Sequence, residues 1–216
     1  MLREQGMTMV TLALILYVVY LALAFGLRTL IQLRRTGSSG FHGLGGRPGS
    51  AEWIAGVGFT LALLLGAAAP VLALLDVVEP VPVLDTTAAH VAGLIFAVGG
   101  IGLTFYAQVA MGTSWRIGVD PAERTALVTS GPFALVRNPI FAAMLPTALG
   151  LTLLVPSWVA IAGLLGLLVA LELQVRVVEE PYLLRAHGEE YAGYAARVGR
   201  FVPGMGRLVG SRRSRS

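Results

Sequence analysis

The residues equipped for chemistry fall in two places. One is the run Thr125-Ala-Leu-Val-Thr-Ser-Gly-Pro-Phe-Ala-Leu-Val-Arg-Asn-Pro-Ile-Phe141, a polar segment marked by glycine and proline that ends by opening an apolar stretch. The other is the acidic pair Glu179-Glu180, where the next apolar stretch ends. Asn138 before Pro139 reads as a helix start, because asparagine suits the N-cap and proline is tolerated at the first helical position. The N–H groups of a first helical turn, together with the helix dipole, make a site for a carboxylate or phosphate. Arg137 beside them adds positive charge. On the acidic side, Arg176 stands three and four positions before Glu179 and Glu180, with Glu172 one turn deeper. Charges at that depth in an apolar stretch are costly unless paired or facing a polar cavity. Two readings stay open: a self-satisfied Glu172–Arg176–Glu180 ladder, or a carboxylate that holds a cationic ligand group opposite an anionic one at Asn138. A ligand carrying a sulfonium or amino cation and a carboxylate would bridge the two places. S-adenosylmethionine is such a molecule.

For that to work the two places must meet. From Pro139 the chain is apolar to Val155, turns at Pro156-Ser157, and is apolar again to about Val178. So short a turn makes the two helices antiparallel neighbours and returns Arg137-Asn138 and Glu179-Glu180 to the same side.

Composition says what surrounds this hairpin. With 216 residues, 56% hydrophobic and only 13% charged, and a mean hydropathy of +0.76, the chain departs from an ordinary soluble domain. Its apolar residues fall in runs that match a bilayer, about 20 residues per helix. The expectation is one all-α, multi-pass integral membrane protein. It would have about five transmembrane helices, the hairpin supplying spans four and five, and a C-terminal amphipathic helix. There is no cysteine, and His42, His90 and His187 are far apart without ligand-like spacing, so no metal site is indicated. The net charge of +4 comes from arginine alone. In a membrane protein it reports topology and headgroup contact rather than nucleic acid.

The first apolar run, about Met7 to Leu33, is too long for a signal-peptide core and reads as a retained span. A basic, glycine-rich loop follows from Arg34 to Ser50. It lacks the lysine-containing phosphate-loop motif and reads as a linker that could fold over a substrate. The second span runs from about Glu52 to Leu75 and the third from about Ala88 to Met111. Gly93, Gly99, Gly100 and Gly102 allow close helix approach in the third, and Gln108 near its end reads as an interhelical hydrogen bonder. The loop from Gly112 to Arg137 carries Arg116, Arg124 and Arg137 against Asp120 and Glu123. After Glu179, Tyr191, Tyr194, Val198 and Phe201 recur at helical spacing, as in an interfacial amphipathic helix packed beneath the bundle. Arginine occupies the first and third loops and the tail but neither the second loop nor the hairpin turn. The positive-inside rule then puts those three segments, and a site built from them, in the cytoplasm. Three segments follow: spans one to three over 1–111, a site-bearing region over 112–203, and a basic, flexible tail over 204–216.

The stretch Leu127-Val-Thr-Ser-Gly-Pro-Phe-Ala-Leu-Val-Arg-Asn-Pro-Ile-Phe141, then Glu179-Glu180, then His187-Gly-Glu-Glu-Tyr191 with Tyr194, Arg197-Val198 and Arg200-Phe-Val-Pro203 resembles the isoprenylcysteine carboxyl methyltransferase family and its phospholipid methyltransferase relatives. The likeness covers about the C-terminal half, Met111 to Pro203. It implies an integral membrane enzyme with S-adenosylmethionine in a cytosolic pocket, covered by the C-terminal segment, with a lipid-accessible entrance for the acceptor. By resemblance, Thr125, Ala126, Leu127 and Val128 contact the cofactor, Phe133 packs beside it, Asn138, Pro139, Ile140 and Phe141 hold it at the helix start, and Glu179 binds its polar end. Arg176 stands near the place of a substrate-orienting arginine. Where the family usually has Arg-His-Pro-x-Tyr, this chain has Asn138 and Phe141. Asparagine keeps a hydrogen-bonding side chain but does not titrate near neutral pH, so histidine acid–base work does not carry over.

The reading that follows is a membrane methyltransferase acting on a lipid or lipophilic small molecule through a carboxylate, thiol or amine. Two others compete with it. One is a membrane reductase related to sterol reductases and using NADPH; the other is a non-enzymatic membrane protein whose charged ladder is structural. The acceptor, the oligomeric state and the pathway are not written in these motifs.

Overall fold

The computed structural model describes residues 2–39, 45–115 and 126–208. Its elements are α1 (Leu2–Leu21), a π-helical turn (Ala22–Leu27), α2 (Arg28–Thr36), α3 (Ala51–Leu74), α4 (Thr87–Ala110), α5 (Pro139–Leu154), α6 (Trp158–Leu173), a second π-helical turn (Gln174–Glu179) and α7 (Glu180–Arg197). No strand occurs among the described residues. Four helical segments, Gly6–Thr36, Ala51–Leu74, Thr87–Ala110 and Trp158–Arg197, are long and apolar enough to cross a bilayer. The remaining predicted span is α5, an apolar helix of 16 residues and roughly 24 Å.

Local sequence explains where the helices begin. Ser50, Thr86 and Ser157 cap α3, α4 and α6, their hydroxyls accepting from the N–H groups of Trp53, Ala89 and Ala160. With Ser157 as the cap and Pro156 ahead of it, the turn between α5 and α6 is as tight as the sequence implies. Pro70 and Pro146 lie inside α3 and α5, as proline does in membrane helices whose neighbours compensate the lost bond.

Small residues set the packing. The tightest pair is α4 with α5, where a Cβ on Gly100 would stand 2.6 Å from the Thr147 nitrogen and one on Gly150 2.5 Å from the Gly93 carbonyl oxygen. Within lipid, such backbone-to-backbone approach supplies the dispersion that a hydrophobic drive cannot. Beside it α6 lies along α3, with Gly163 against Leu65 and Gly58 against Ala170. The α1 segment completes the bundle: Tyr17 donates to the Leu63 carbonyl at 2.5 Å, and Tyr20 and Ala24 join Ala62, Ile101, Met144, Leu167 and Leu171 in the main apolar core. Gln108 does bond between helices as its position suggests, its Nε2 donating to the Ala24 carbonyl at 3.0 Å.

The chain does not leave the helix at Glu179-Glu180-Pro181. Instead α6 runs through the π turn directly into α7, with Pro181 just past the π turn. The bend comes later, at Gly188, whose φ of 52° and ψ of −126° break α7 in two.

Candidate functional site

All five helical stretches bring an end or a π turn to one cavity of about 470 Å³. Both π turns border it: Ala24 and Phe25 belong to the first, Gln174 and Glu179 to the second. Bulges of this kind widen a helix locally and often occur beside functional sites.

Of the residues singled out in the sequence, Ala126, Leu127, Val128, Phe133, Asn138, Pro139, Ile140, Phe141 and Glu179 all line this cavity. The hairpin accounts for Asn138–Phe141 and Glu179. The segment Ala126–Val128 is tied to the end of α4 by Ser114, whose hydroxyl donates to the Ala126 carbonyl at 3.3 Å. Thr125 lies outside the described residues, as do His42, Arg116, Asp120, Glu123, Arg124 and the tail beyond Leu208.

Arg176 does not line the cavity. Its side chain is 58% exposed and pairs with Glu172. The cause is the π turn. Counting 3.6 residues per turn puts Arg176 on the face of Glu179 and Glu180, but a π turn aligns residues five apart. Gln174 therefore takes the cavity position, and its amide donates to the Glu179 carboxylate at 3.4 Å.

Glu180 leaves the expected ladder as well. It is buried between two arginines, accepting from Arg137 at 2.5 Å and from Arg200 Nε and NH2, each at 2.8 Å. Arg137 also donates to the carbonyls of Ala195, Val198 and Gly206. Its charge at the helix mouth is thus half shared with a buried carboxylate rather than free. The hydrogen bonds to Glu180 hold the Arg200 guanidinium above its ordinary pKa. The cluster sets two cations against one anion.

The same segment corrects the capping expectation. Val136 pairs with Gly199 as a one-residue parallel bridge. Arg137 N–H then donates to the Gly199 carbonyl at 2.8 Å, and Asn138 N–H to the Arg200 carbonyl at 3.1 Å. The Asn138 side chain donates to that same carbonyl at 3.3 Å and makes no capping bond. Held on the Arg200 carbonyl, the Asn138 side chain gives the first turn of α5 no cap. The N–H groups of Ile140 and Phe141 have no acceptor within the helix, and both residues line the cavity.

Helix α7 supplies a wall that sequence reasoning assigned to packing. Tyr191 and Tyr194 line the cavity, and Tyr194 donates to the Phe133 carbonyl at 2.5 Å. Leu127, Leu183, Val198 and Leu208 pack around them. Another wall was not foreseen: Arg28, fully buried, donates to the carbonyls of Gln108 and Gly112 and to Gln32. Its guanidinium carbon lies 4.6 Å over the Trp115 ring, which fixes Trp115 at the cavity edge. A lone arginine inside the first apolar run was the available signal, since such a charge needs partners there.

The residues present fit S-adenosylmethionine by their chemistry. A helix mouth with unused N–H groups suits its carboxylate, Glu179 suits a cation, and Phe133 and Tyr191 offer aromatic surface to its base.

Comparisons with known proteins bear on the same region. The chain is similar to the nickel-cobalt-cadmium resistance protein NccN of Alcaligenes xylosoxydans xylosoxydans, at 27% identity over 114 residues, 52% of each chain. It is similar to the cobalt-zinc-cadmium resistance protein CzcN of Cupriavidus metallidurans at 30% identity over 114 residues, 52% of this chain and 51% of that one. The chain thus spans about half the length of the curated relatives it matches. The family match supports a membrane methyltransferase in general terms, and it starts with α4, earlier than the motifs alone indicate. Residues 88–190, holding the hairpin and most of the cavity's polar lining, match the phospholipid methyltransferase family.

Proposed function

We propose that the cavity binds S-adenosylmethionine and that the protein methylates a lipid or lipophilic small molecule reaching it from the bilayer. The observation that carries this reading is that the α5 helix mouth at Asn138–Phe141 and the Glu179 carboxylate line one cavity. Had packed side chains separated them, only family likeness would be left. When bound, S-adenosylmethionine supplies a methyl group on a sulfonium sulfur, open to in-line displacement. The Ile140 and Phe141 N–H groups would hold its carboxylate, and Glu179, steadied by Gln174, would hold its cationic end. Phe133 and Tyr191 would offer their rings to its base. Phe59, Met144 and Leu171, apolar residues of the lining, exclude water and accept an apolar substrate body. What such a transfer needs from the protein is alignment and a dry site, which these residues provide without a titrating histidine at position 138.

A cytoplasmic site is part of the proposal, on the arginine distribution. The competing NADPH reductase is less favoured because Arg137, the arginine lining the cavity among the described residues, is already committed to Glu180. Calorimetric titration of the protein in detergent with S-adenosylmethionine and with NADPH separates the readings. Binding of the first and not the second is expected. Binding of neither removes both enzymatic readings. Incubating lipid extracts with a labelled methyl donor then identifies the acceptor.

A further inference from the structure

One carboxylate of the cavity lining has no part in the reading above. Glu52, in the first turn of α3, is half-buried and lines the cavity. Among the described residues its carboxylate has neither a hydrogen bond nor a salt bridge. It lies against the glycines of the preceding loop. A Cβ on Gly45, which also lines the cavity, would meet Glu52 Oε1, and one on Gly46 would stand 3.3 Å from Oε2. The α3–α6 contacts set its level. Gly58 meets Ala170, Ala62 meets Gly166 and Leu65 meets Gly163, equal steps in opposite directions along two antiparallel helices. Carried back from Gly58, that register puts Glu52 level with position 176, inside the π turn that bears Gln174 and Glu179. Behind Glu52, the same face of α3 lines the cavity with Ala55, Gly56, Phe59, Thr60 and Leu63. The Thr60 hydroxyl is spent on the Gly56 carbonyl at 2.9 Å. From Glu52 to Leu63 this strip runs about 16 Å, a carboxylate at one end and apolar surface along the rest.

A carboxylate beside apolar surface is costly until a cation meets it. The cavity's arginine, Arg137, is taken by Glu180. Glu179 is bonded to Gln174 and serves the nucleoside in the reading above. Besides the His187 imidazole, Glu52 is thus the ionisable group of the lining still without a task. An acidic ligand would bring like charge to it, and a neutral hydroxyl would donate one bond without balancing the charge. A protonated amine does both. We propose that Glu52 is a specificity-determining residue for the methyl acceptor, taking an ammonium head while the α3 strip behind it takes an apolar body. Of carboxylate, thiol and amine, this arrangement selects the amine. The inference deepens the methyltransferase reading and rests on it for the word acceptor, whereas the cation site itself stands on Glu52 and the cavity. Glu52 precedes the residues that match the family, so this specificity belongs to the chain's own second span.

The probes are decylamine, a cation at neutral pH, and 1-decanol, its neutral counterpart. Binding to the protein in nanodiscs of zwitterionic lipid, corrected with empty discs, should favour decylamine by about tenfold, as a hydrogen bond to a charge does. Glu52→Gln keeps the size of the side chain and should erase that preference, with the affinity for 1-decanol unchanged. Glu190→Gln, at an exposed acid of α7 away from the cavity, should keep it. Equal affinities in the wild-type protein overturn the proposal without need of any variant. A preference that survives Glu52→Gln also overturns it. An acid in a first helical turn answers the helix dipole as well; were that its whole role, Glu52→Gln would melt lower and still prefer the amine. Titration of the same samples with S-adenosylmethionine separates the two readings, and Glu52→Gln should bind it as the wild type does. A parallel loss of S-adenosylmethionine affinity would assign Glu52 to the nucleoside and overturn the proposal. No S-adenosylmethionine binding by the wild type, beside an amine preference that depends on Glu52, sinks the methyltransferase reading and upholds the cation site.

Discussion

The Gln174 amide lies 3.4 Å from the Glu179 carboxylate, five residues further along one π-helical turn. This spacing decides which polar side chains of the fifth apolar run face the cavity. It turns Glu179 and Gln174 inward and Arg176 outward. Glu179→Ala is expected to weaken S-adenosylmethionine binding at least about tenfold, and Gln174→Leu by roughly threefold, as a neutral bond to a charge is lost. Arg176→Ala should leave the affinity as it is. Titration calorimetry of the three variants checks the set, and a loss in Arg176→Ala equal to that in Glu179→Ala would rule out the π-turn geometry.

The second prediction concerns stability. Glu180 sits between Arg137 and Arg200 with side chains 6%, 1% and 12% exposed. Removing the acid leaves two cations facing each other in a dry site, a loss of about 3 kcal/mol for a buried pair broken on one side. Glu180→Ala should therefore lower the thermal transition sharply. Arg137→Lys should not rescue the fold, because lysine cannot reach four acceptors from a planar fork. Arg176→Ala, which removes the exposed pair with Glu172, should cost no more than about 0.5 kcal/mol. A Glu180→Ala protein as stable as Arg176→Ala would contradict this ordering.

The hairpin was legible in the sequence for physical reasons that can be named. Pro139, Pro156 and Ser157 punctuate apolar runs, and such punctuation is local. What was hidden is equally specific. Nothing in the order Glu172, Arg176, Glu179, Glu180 reports a π turn, so a 3.6-residue count grouped the wrong partners. The Arg137–Glu180–Arg200 cluster joins three segments more than 20 residues apart in places, and only the tertiary fold selects it from many possible pairings. Asn138 reads as a cap by type, yet the Gly199–Arg200 strap captures both its backbone and its amide.

The third prediction uses two adjacent glycines. A side chain on Gly100 would enter the backbone of Thr147, whereas a Cβ on Gly99 meets nothing within 4 Å. Gly100→Leu should therefore separate α4 from α5 and abolish a cooperative thermal transition, since overpacking against backbone has no rotamer escape. Gly99→Leu should behave as the wild type, its side chain entering lipid. Equal melting of the two variants would mean that α4 is rotated from the face described.

The last prediction turns on Gly188, which stands between His187 and Tyr191, both of which line the cavity. Its φ of 52° and ψ of −126° are open to glycine and strained for any L side chain. No atom lies within 4 Å of a Cβ built there, so a substitution acts through the backbone alone. Gly188→Ala should cost about 1–3 kcal/mol or straighten α7 to avoid that cost. Straightening would swing Tyr191 and Tyr194 off the cavity wall and break the Tyr194 bond to the Phe133 carbonyl. Nucleoside affinity should then fall even where the protein remains folded. Gly193 is the control, a helical glycine whose added Cβ meets only the end of the Arg197 side chain at 3.6 Å. Gly193→Ala should raise stability by up to about 1 kcal/mol through helix propensity. The two substitutions are chemically identical and five residues apart, so opposite signs in a thermal melt isolate the bend. Shifts of the same sign would show that α7 continues unbroken through position 188, and the tyrosine wall would have to be redrawn.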